Sequence, residues 1–236
     1  MSVEFAGLVK RARCDRCLRP QSTCICQWVT PLAHVVEVLI LQHPLEAAHA
    51  KGSARLLHLS LQHSRLVIGE VFDVPGCLAR MDVAPEGDVQ SQNAHVPKHN
   101  ILLYPRLQTD RATPHASSTP TPPPLVSACL KEPSQLRLIV LDGTWRKSRK
   151  MLHLNPLLQQ LPRLSLQGLP ASQYSIRKAH RPGQLSTLEA TCAALTQLEG
   201  DPDKCEPLLK AFDGFVAQQS RYWAGPGFLS CRDGAS

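Results

Sequence analysis

The sequence lacks long apolar runs. No window of its 236 residues approaches the roughly 18 to 20 uninterrupted apolar positions that a membrane-spanning helix needs. Met1 to Lys10 hold no apolar h-region of the secretory kind and run straight into a cysteine-rich stretch. The two absences predict a protein without membrane association in a cytoplasmic, reducing compartment. No G-x-G-x-x-G occurs, which disfavours a dinucleotide-binding fold, and no internal repeat is present. Acidic residues are scarce where basic ones are dense. Between Leu136 and Pro182 stand Arg137, Arg146, Lys147, Arg149, Lys150, Arg163, Arg177, Lys178 and Arg181, against the single acid Asp142. A solvated basic face usually carries interspersed carboxylates. With a net charge of +7 and a pI near 9.1, this asymmetry points to a polyanionic partner, nucleic acid.

Apolar residues make up 43 % of the chain, enough for a folded core, and the length suits one α/β domain with a small appendage. Four of the nine cysteines, Cys14, Cys17, Cys24 and Cys26, fall within thirteen positions. C-x-x-C followed by C-x-C offers four soft ligands on two tight turns, the set that tetrahedral Zn²⁺ takes. The second pair is tighter than the common C-x-x-C. The competing reading is a group of free or redox-active thiols, but a thioredoxin-type motif is one C-x-x-C entering a helix. Four thiolates close the coordination shell, so the expected zinc is structural. Arg13, Arg16 and Arg19 would help keep the thiols ionised, and such cations often meet phosphate. The remaining cysteines stand alone. Cys192 reads as a core residue on an apolar helix face, and Cys231 as an exposed thiol.

Strands are expected at His34 to Leu41, Arg65 to Val71, Asn100 to Tyr104 and Leu136 to Leu141, with a short fifth at Leu161 to Leu166. Helices are expected at Leu45 to Leu61, Arg146 to Leu154, Ser186 to Leu198 and Glu206 to Trp223. Ser186 or Thr187 would cap the third, with Glu189 near its N3 position. Pro75 to His99 reads as a polar irregular stretch. Thr109 to Pro124 is a Pro-rich insertion that cannot support a core. The alternation implies an α/β fold with a mostly parallel sheet. Two units are expected: a four-cysteine zinc-binding segment over 1–30 and a catalytic domain over 31–236, with the insertion at 109–124. His43 and Glu46 read as a helix cap, with a catalytic role as the alternative; His58 and His63 read as surface positions, and His180, in a basic loop, as either an RNA contact or a solvated histidine.

The fourth strand runs into Asp142-Gly143-Thr144-Trp145. Ligands of α/β folds sit at the carboxyl ends of strands. A glycine there lets backbone approach a ligand, an indole offers a flat face, and a carboxylate can accept a proton. A simple turn followed by a core tryptophan fits the same four residues equally well.

These residues resemble the D-x-T-W signature of the DTW-domain family. CDRCLRPQSTCIC resembles the family's N-terminal cysteine motif. Gln42-His43-Pro44-Leu45-Glu46 resembles its Q-H-P-x-E segment, and Leu103-Tyr104-Pro105 its L-Y-P strand end. YSIRKAHRPGQLSTLEA, Tyr174 to Ala190, resembles its Y-x-I-R-K…L-S-T-x-E-A block. Five blocks occur in the family's order from Cys14 to Ala190. The chain departs from the pattern at Gly52-Ser53-Ala54, where the family often has Asn-Thr, and in the Pro-rich insertion.

The resemblance implies an S-adenosylmethionine (SAM)-dependent tRNA-uridine aminocarboxypropyltransferase. Such enzymes move the 3-amino-3-carboxypropyl group of SAM to N3 of a tRNA uridine, giving acp3U and 5′-methylthioadenosine. For a bacterial-type member the uridine would lie in the variable loop, position 47 of the tRNA. Kinship with SPOUT-like proteins admits a knotted SAM pocket. On this reading Asp142 takes the N3 proton. The adenosine rests near Leu103, Tyr104, Pro105, Leu141, Asp142, Gly143, Thr144, Trp145, Leu185, Ser186 and Thr187, and Arg177 and Lys178 meet the α-carboxylate. Arg146, Lys147, Arg149, Lys150 and Arg181 bind tRNA phosphates, and Cys14, Cys17, Cys24 and Cys26 hold structural zinc. A SPOUT-type methyltransferase and a non-catalytic RNA-binding module with a zinc knuckle remain alternatives. The oligomeric state is left open.

Overall fold

A computed structural model describes residues 12–49, 52–82, 98–105, 122–166 and 185–224. Five strands form one sheet: β1 Glu37–Gln42, β2 Ser64–Ile68, β3 His99–Leu103, β4 Leu136–Asp142 and β5 Arg163–Leu164. Their order is β2-β1-β4-β3-β5, and every pairing is parallel. All seven residues of β4 are buried, and between Arg137 and Asp142 they are apolar. A parallel strand covered on both faces needs such an unbroken run. Leu138 and Val140 point to one core, with Val38, Ile40 and Ile101. Ile139 and Leu141 point to the other, with Leu39, Leu41 and Leu102.

The helices are α1 Pro44–Ala47, α2 Ala54–Ser60, α3 Val74–Ala79, α4 Trp145–Leu154, α5 Pro156–Gln159, α6 Thr187–Glu199 and α7 Glu206–Ala224. Side chains of α2, α6 and α7 fill the first core, and Met151, Leu152 and Leu158 of α4 and α5 fill the second. The single helix expected over 45–61 is two helices. The chain turns through His49 and Gly52, whose N–H donates to His49 O at 2.9 Å, and restarts at Ala54. Helix α3 lies in the stretch expected to be irregular. Its signal is Asp73-Val74-Pro75: the aspartate accepts from Gly76 N at 3.1 Å, and proline suits a first turn. The Pro-rich insertion falls largely outside the described residues.

Helix α6 has the expected start. Ser186 Oγ accepts from Glu189 N at 3.2 Å, while Ser186 N donates to the Glu189 carboxylate at 2.7 Å. Gly200, at φ 70°, ends it in the left-handed conformation.

The cysteine segment packs into the first core. Cys17 and Ile25 are buried in one cluster with Phe212 and Phe215 of α7. Trp28 lies over Gly214 of α7, where an added Cβ would fall 2.1 Å from its ring. His58 is half-buried, contrary to its expected surface position, because its ring meets Ser64 Oγ at 2.9 Å; His63 is exposed.

Candidate active site at the carboxyl edge of the sheet

The ends of β4, β3 and β5 meet the start of α6 around a cavity of about 360 Å³. Leu103, Tyr104, Pro105, Leu141, Gly143, Trp145, Leu185, Ser186 and Thr187, all expected near the adenosine, line it. Three sequence-distant blocks thus meet at one hollow. The lining also includes Val140, Ser148, Leu164, Ser165, Leu166 and Ala190, which sequence reasoning did not select. Parallel pairing of β5 with β3 brings 164–166 in, and only the sheet register could reveal that.

Tyr104 and Trp145 stack with ring centroids 5.2 Å apart and planes 13° from parallel. Arg163 also lies over the Tyr104 ring, 5.5 Å from its centroid. Trp145 is 47 % exposed, which excludes the core-tryptophan reading. Thr144 accepts from Lys147 N at 3.4 Å as the N-cap of α4 and does not line the cavity. Gly143 lies close beneath α4: a Cβ there would come 3.1 Å from Lys147 Cβ.

Asp142 is buried just behind the lining. Gln42 Nε2 donates to Oδ2 at 2.8 Å, and Thr187 Oγ1 donates to Oδ1 at 2.6 Å. Its carboxylate therefore ties β1, β4 and α6 together and reaches the cavity through the Thr187 hydroxyl. Neither partner was selected for this role from the sequence. They lie 100 and 45 residues away; the pairing of β1 with β4 brings Gln42 in, and the packing of the start of α6 against the sheet brings Thr187.

The basic stretch divides. Arg137 is buried between Glu37, at 2.7 Å, and Asp82, and Arg163 is buried against Tyr104, so neither joins a basic face. Helix α4 has no acid in its own sequence, but the fold supplies two. Lys147 Nζ meets Glu46 Oε1 at 2.9 Å, and Lys150 Nζ meets Glu70 Oε2 at 2.7 Å. The Lys150 hydrogen bond holds the Glu70 carboxyl below its ordinary range. Arg146 and Arg149 are exposed. His43 caps α1 as expected: Leu45 N donates to Nδ1 at 3.2 Å, leaving Nε2 to face Glu70 at 2.7 Å. Arg177, Lys178, His180 and Arg181 lie outside the described residues.

The four clustered cysteines bring their sulfurs within 4.8 Å of one another. Cys14 and Cys26 Sγ are 3.6 Å apart, and Cys17 and Cys24 Sγ 3.7 Å. Zinc–thiolate bonds of about 2.3 Å at tetrahedral angles put sulfurs roughly 3.8 Å apart, so the donor set fits that ion. Backbone N–H groups of Cys17 and Arg16 lower the Cys14 thiol to about 6, while burial pushes Cys26 up to about 12. The group can hold a metal.

The DTW domain family matches residues 11–220. The chain belongs to the DTW-domain family. Among curated proteins it is similar to tRNA-uridine aminocarboxypropyltransferase 2 of Mus musculus, 27 % identical over 219 residues. The match covers 91 % of this chain and 66 % of that protein, just under two thirds of its length. The Drosophila melanogaster protein of the same name is 28 % identical, with 85 % and 72 % covered. Arabidopsis thaliana tRNA-uridine aminocarboxypropyltransferase A is 27 % identical, with 90 % and 83 % covered. No solved structure matches. In this DTW domain, Ser53 stands at the departure from the family pattern. Its hydroxyl accepts from Leu188 N at 3.4 Å, joining α2 to α6.

Proposed function

We propose that the protein is a tRNA-uridine aminocarboxypropyltransferase that forms acp3U, in the variable loop, from SAM. The observation that carries this reading is the family match over 11–220 together with the cavity where the family's sequence blocks meet. A volume of about 360 Å³ with a mainly apolar lining suits a nucleoside-sized ligand. SAM supplies an activated carbon and a neutral thioether leaving group. The apolar lining and the Tyr104–Trp145 stack hold the adenosine. Arg177 and Lys178 are assigned to the α-carboxylate.

The uridine N3–H must lose its proton as N3 bonds to the carbon. We assign the proton to Thr187 Oγ1, which passes its own to Asp142 Oδ1; Gln42 holds Asp142 in place. Arg146, Arg149 and Arg181 are assigned to tRNA phosphates, with Lys147 and Lys150 joining when their carboxylate partners yield. Cys14, Cys17, Cys24 and Cys26 hold structural zinc in a segment over 1–30, and 31–236 forms the SPOUT-like catalytic domain. We assign the protein to the cytoplasm; no helix among the described residues is long and apolar enough to cross a membrane.

Mass spectrometry after incubation with SAM and tRNA tests the reading. The expected products are acp3U and 5′-methylthioadenosine. S-adenosylhomocysteine with a methylated base would replace the reading with methyl transfer, and failure to bind SAM would leave an RNA-binding module. Asp142→Asn and Thr187→Val should both bind SAM and tRNA yet lose about a hundredfold or more in rate, the usual weight of a general base. Thr187→Ser should retain turnover. Near-normal turnover in Asp142→Asn would remove it from the mechanism.

A further inference from the structure

The carboxyl edge of the sheet carries a second hollow. The first lies over β4, β3 and β5. The second, about 240 Å³, lies over the last residues of β1 and β2, Gln42 and Ile68. The cysteine segment walls one side with Arg13, Cys17 and Arg19. The turn between α1 and α2 and the first turn of α2 wall the other with His49, Gly52 and Arg55.

The two hollows differ in chemistry. The first is mainly apolar. Three guanidinium groups line the second, against one carboxylate, Glu46, which Lys147 already neutralises. Arg19 donates to Gly52 O at 3.0 Å and lies over Phe215, so it holds the wall together. Arg13 commits part of its fork to Leu18 O at 2.9 Å. Arg55 is half-buried in the lining and makes no ion pair among the described residues. Arginine forks match phosphate oxygens, and a ring of them in a concave site selects an anion.

The hollows also share a wall. Gln42 lines the second and Thr187 the first, and both donate to the carboxylate of Asp142. A ligand in each would lie on opposite sides of one hydrogen-bonded network.

We propose that the second hollow seats the target strand of the tRNA, with Arg13 and Arg55 taking the phosphates beside the modified uridine. The cysteine segment then forms part of the RNA-binding surface: the phosphates sit on the β1 side of the Asp142 network, and the target base crosses to the first hollow, where N3 meets Thr187 Oγ1 and SAM. This rests on the function proposed above. It also differs from a seat on α4 alone, where two of the four cations are already paired.

The test compares wild type with Arg55→Gln, Arg55→Lys and the double variant Arg13→Gln/Arg55→Gln. Calorimetry reads SAM affinity, and titration of a tRNA transcript at several salt concentrations reads tRNA affinity. The expected result is unchanged SAM binding, with tRNA affinity about tenfold lower or worse in the double variant. The slope of log affinity against log salt should shrink by about 0.7 to 0.9 for each phosphate no longer neutralised. Arg55→Lys should keep most of the affinity, which a purely structural loss would not allow. Irradiating wild type with transcripts carrying 4-thiouridine should cross-link the peptide bearing Gln42 to His49 or the one bearing Arg55. Unchanged affinity and slope in the double variant, or cross-links confined to α4, would overturn the proposal. A wild type that binds tRNA with the expected slopes but yields no acp3U would instead overturn the enzymatic reading and leave the RNA seat standing.

Discussion

His34 is only 4 % exposed, and both ring nitrogens are engaged. Nδ1 donates to Val36 O at 2.7 Å, and Nε2 accepts from His63 N at 3.2 Å. That pattern requires the neutral ring, because a proton on Nε2 would face the His63 N–H. Burial lowers the His34 pKa, with the His63 ring and Lys204 acting the same way against Val36 O and Glu199. Burial also lowers His58, beside Arg55. A folded value below the unfolded one means that the unfolded chain binds more protons. The stability from the neutral rings is therefore complete above about pH 6.5 and is lost as pH falls below it. Denaturant midpoints should decline between about pH 6.5 and 5, before the depressed carboxyl of Glu70 is titrated. His34→Asn should flatten that decline. An unaltered slope in the variant would assign the sensitivity to other groups.

Helix α4 binds inward and outward at once. Its one face packs Met151 and Leu152 into the second core, and its first turn covers Gly143. Lys147, 26 % exposed, pairs with a Glu46 carboxylate that is 2 % exposed, so removing it takes a cationic partner from a buried charge. Arg146 and Arg149 have no such task. Lys147→Ala should cost more than the about 1 kcal/mol of an exposed pair, because the carboxylate it leaves is buried. Arg146→Gln with Arg149→Gln should leave the melting temperature near its starting value, weaken tRNA binding and flatten its salt dependence. Thermal melts and salt titrations separate the two effects. Equal melts for the two variants would show that Glu46 is compensated by other groups.

At the scale of the molecule, the cysteine segment belongs to the main core. Cys17 and Ile25 share a cluster with Phe212 and Phe215, and Trp28 fits over Gly214 with its Nε1 donating to Gln218. A metal bound by Cys14, Cys17, Cys24 and Cys26 would thus brace α7 as well as its own turns. Ligand present at a thousand times its dissociation constant contributes about 4 kcal/mol, and each 1 kcal/mol moves the melting point of a chain this size by roughly 2 to 4 °C. Chelation or Cys14→Ser should therefore lower the melting temperature by roughly 10 °C and speed amide exchange in α7 together with the cysteine segment. Elemental analysis should return one zinc per chain. A metal-free protein with an unchanged melt and protected α7 would defeat this.

Local chemistry was legible from the sequence alone. The unbroken apolar run of β4 states burial on both faces. Ser186 with Glu189 states a helix start, and four close cysteines state a metal-type donor set. Most of the cavity lining was legible through the resemblance of those blocks to the DTW-domain family, while their local chemistry alone fitted a simple turn equally well. Distances along the chain hid the rest. Leu164 to Leu166 join the cavity only through the pairing of β5 with β3, Gln42 reaches Asp142 only through the pairing of β1 with β4, and Thr187 only through the packing of α6 on the sheet. A carboxylate far away in sequence can cancel a lysine, as Glu46 and Glu70 do on α4, and an arginine at a strand start can vanish into the core, as Arg137 does. Charge in a sequence is a sum over residues. Charge on a surface is what remains after folding has paired and buried some of them, and that was decided by the tertiary structure.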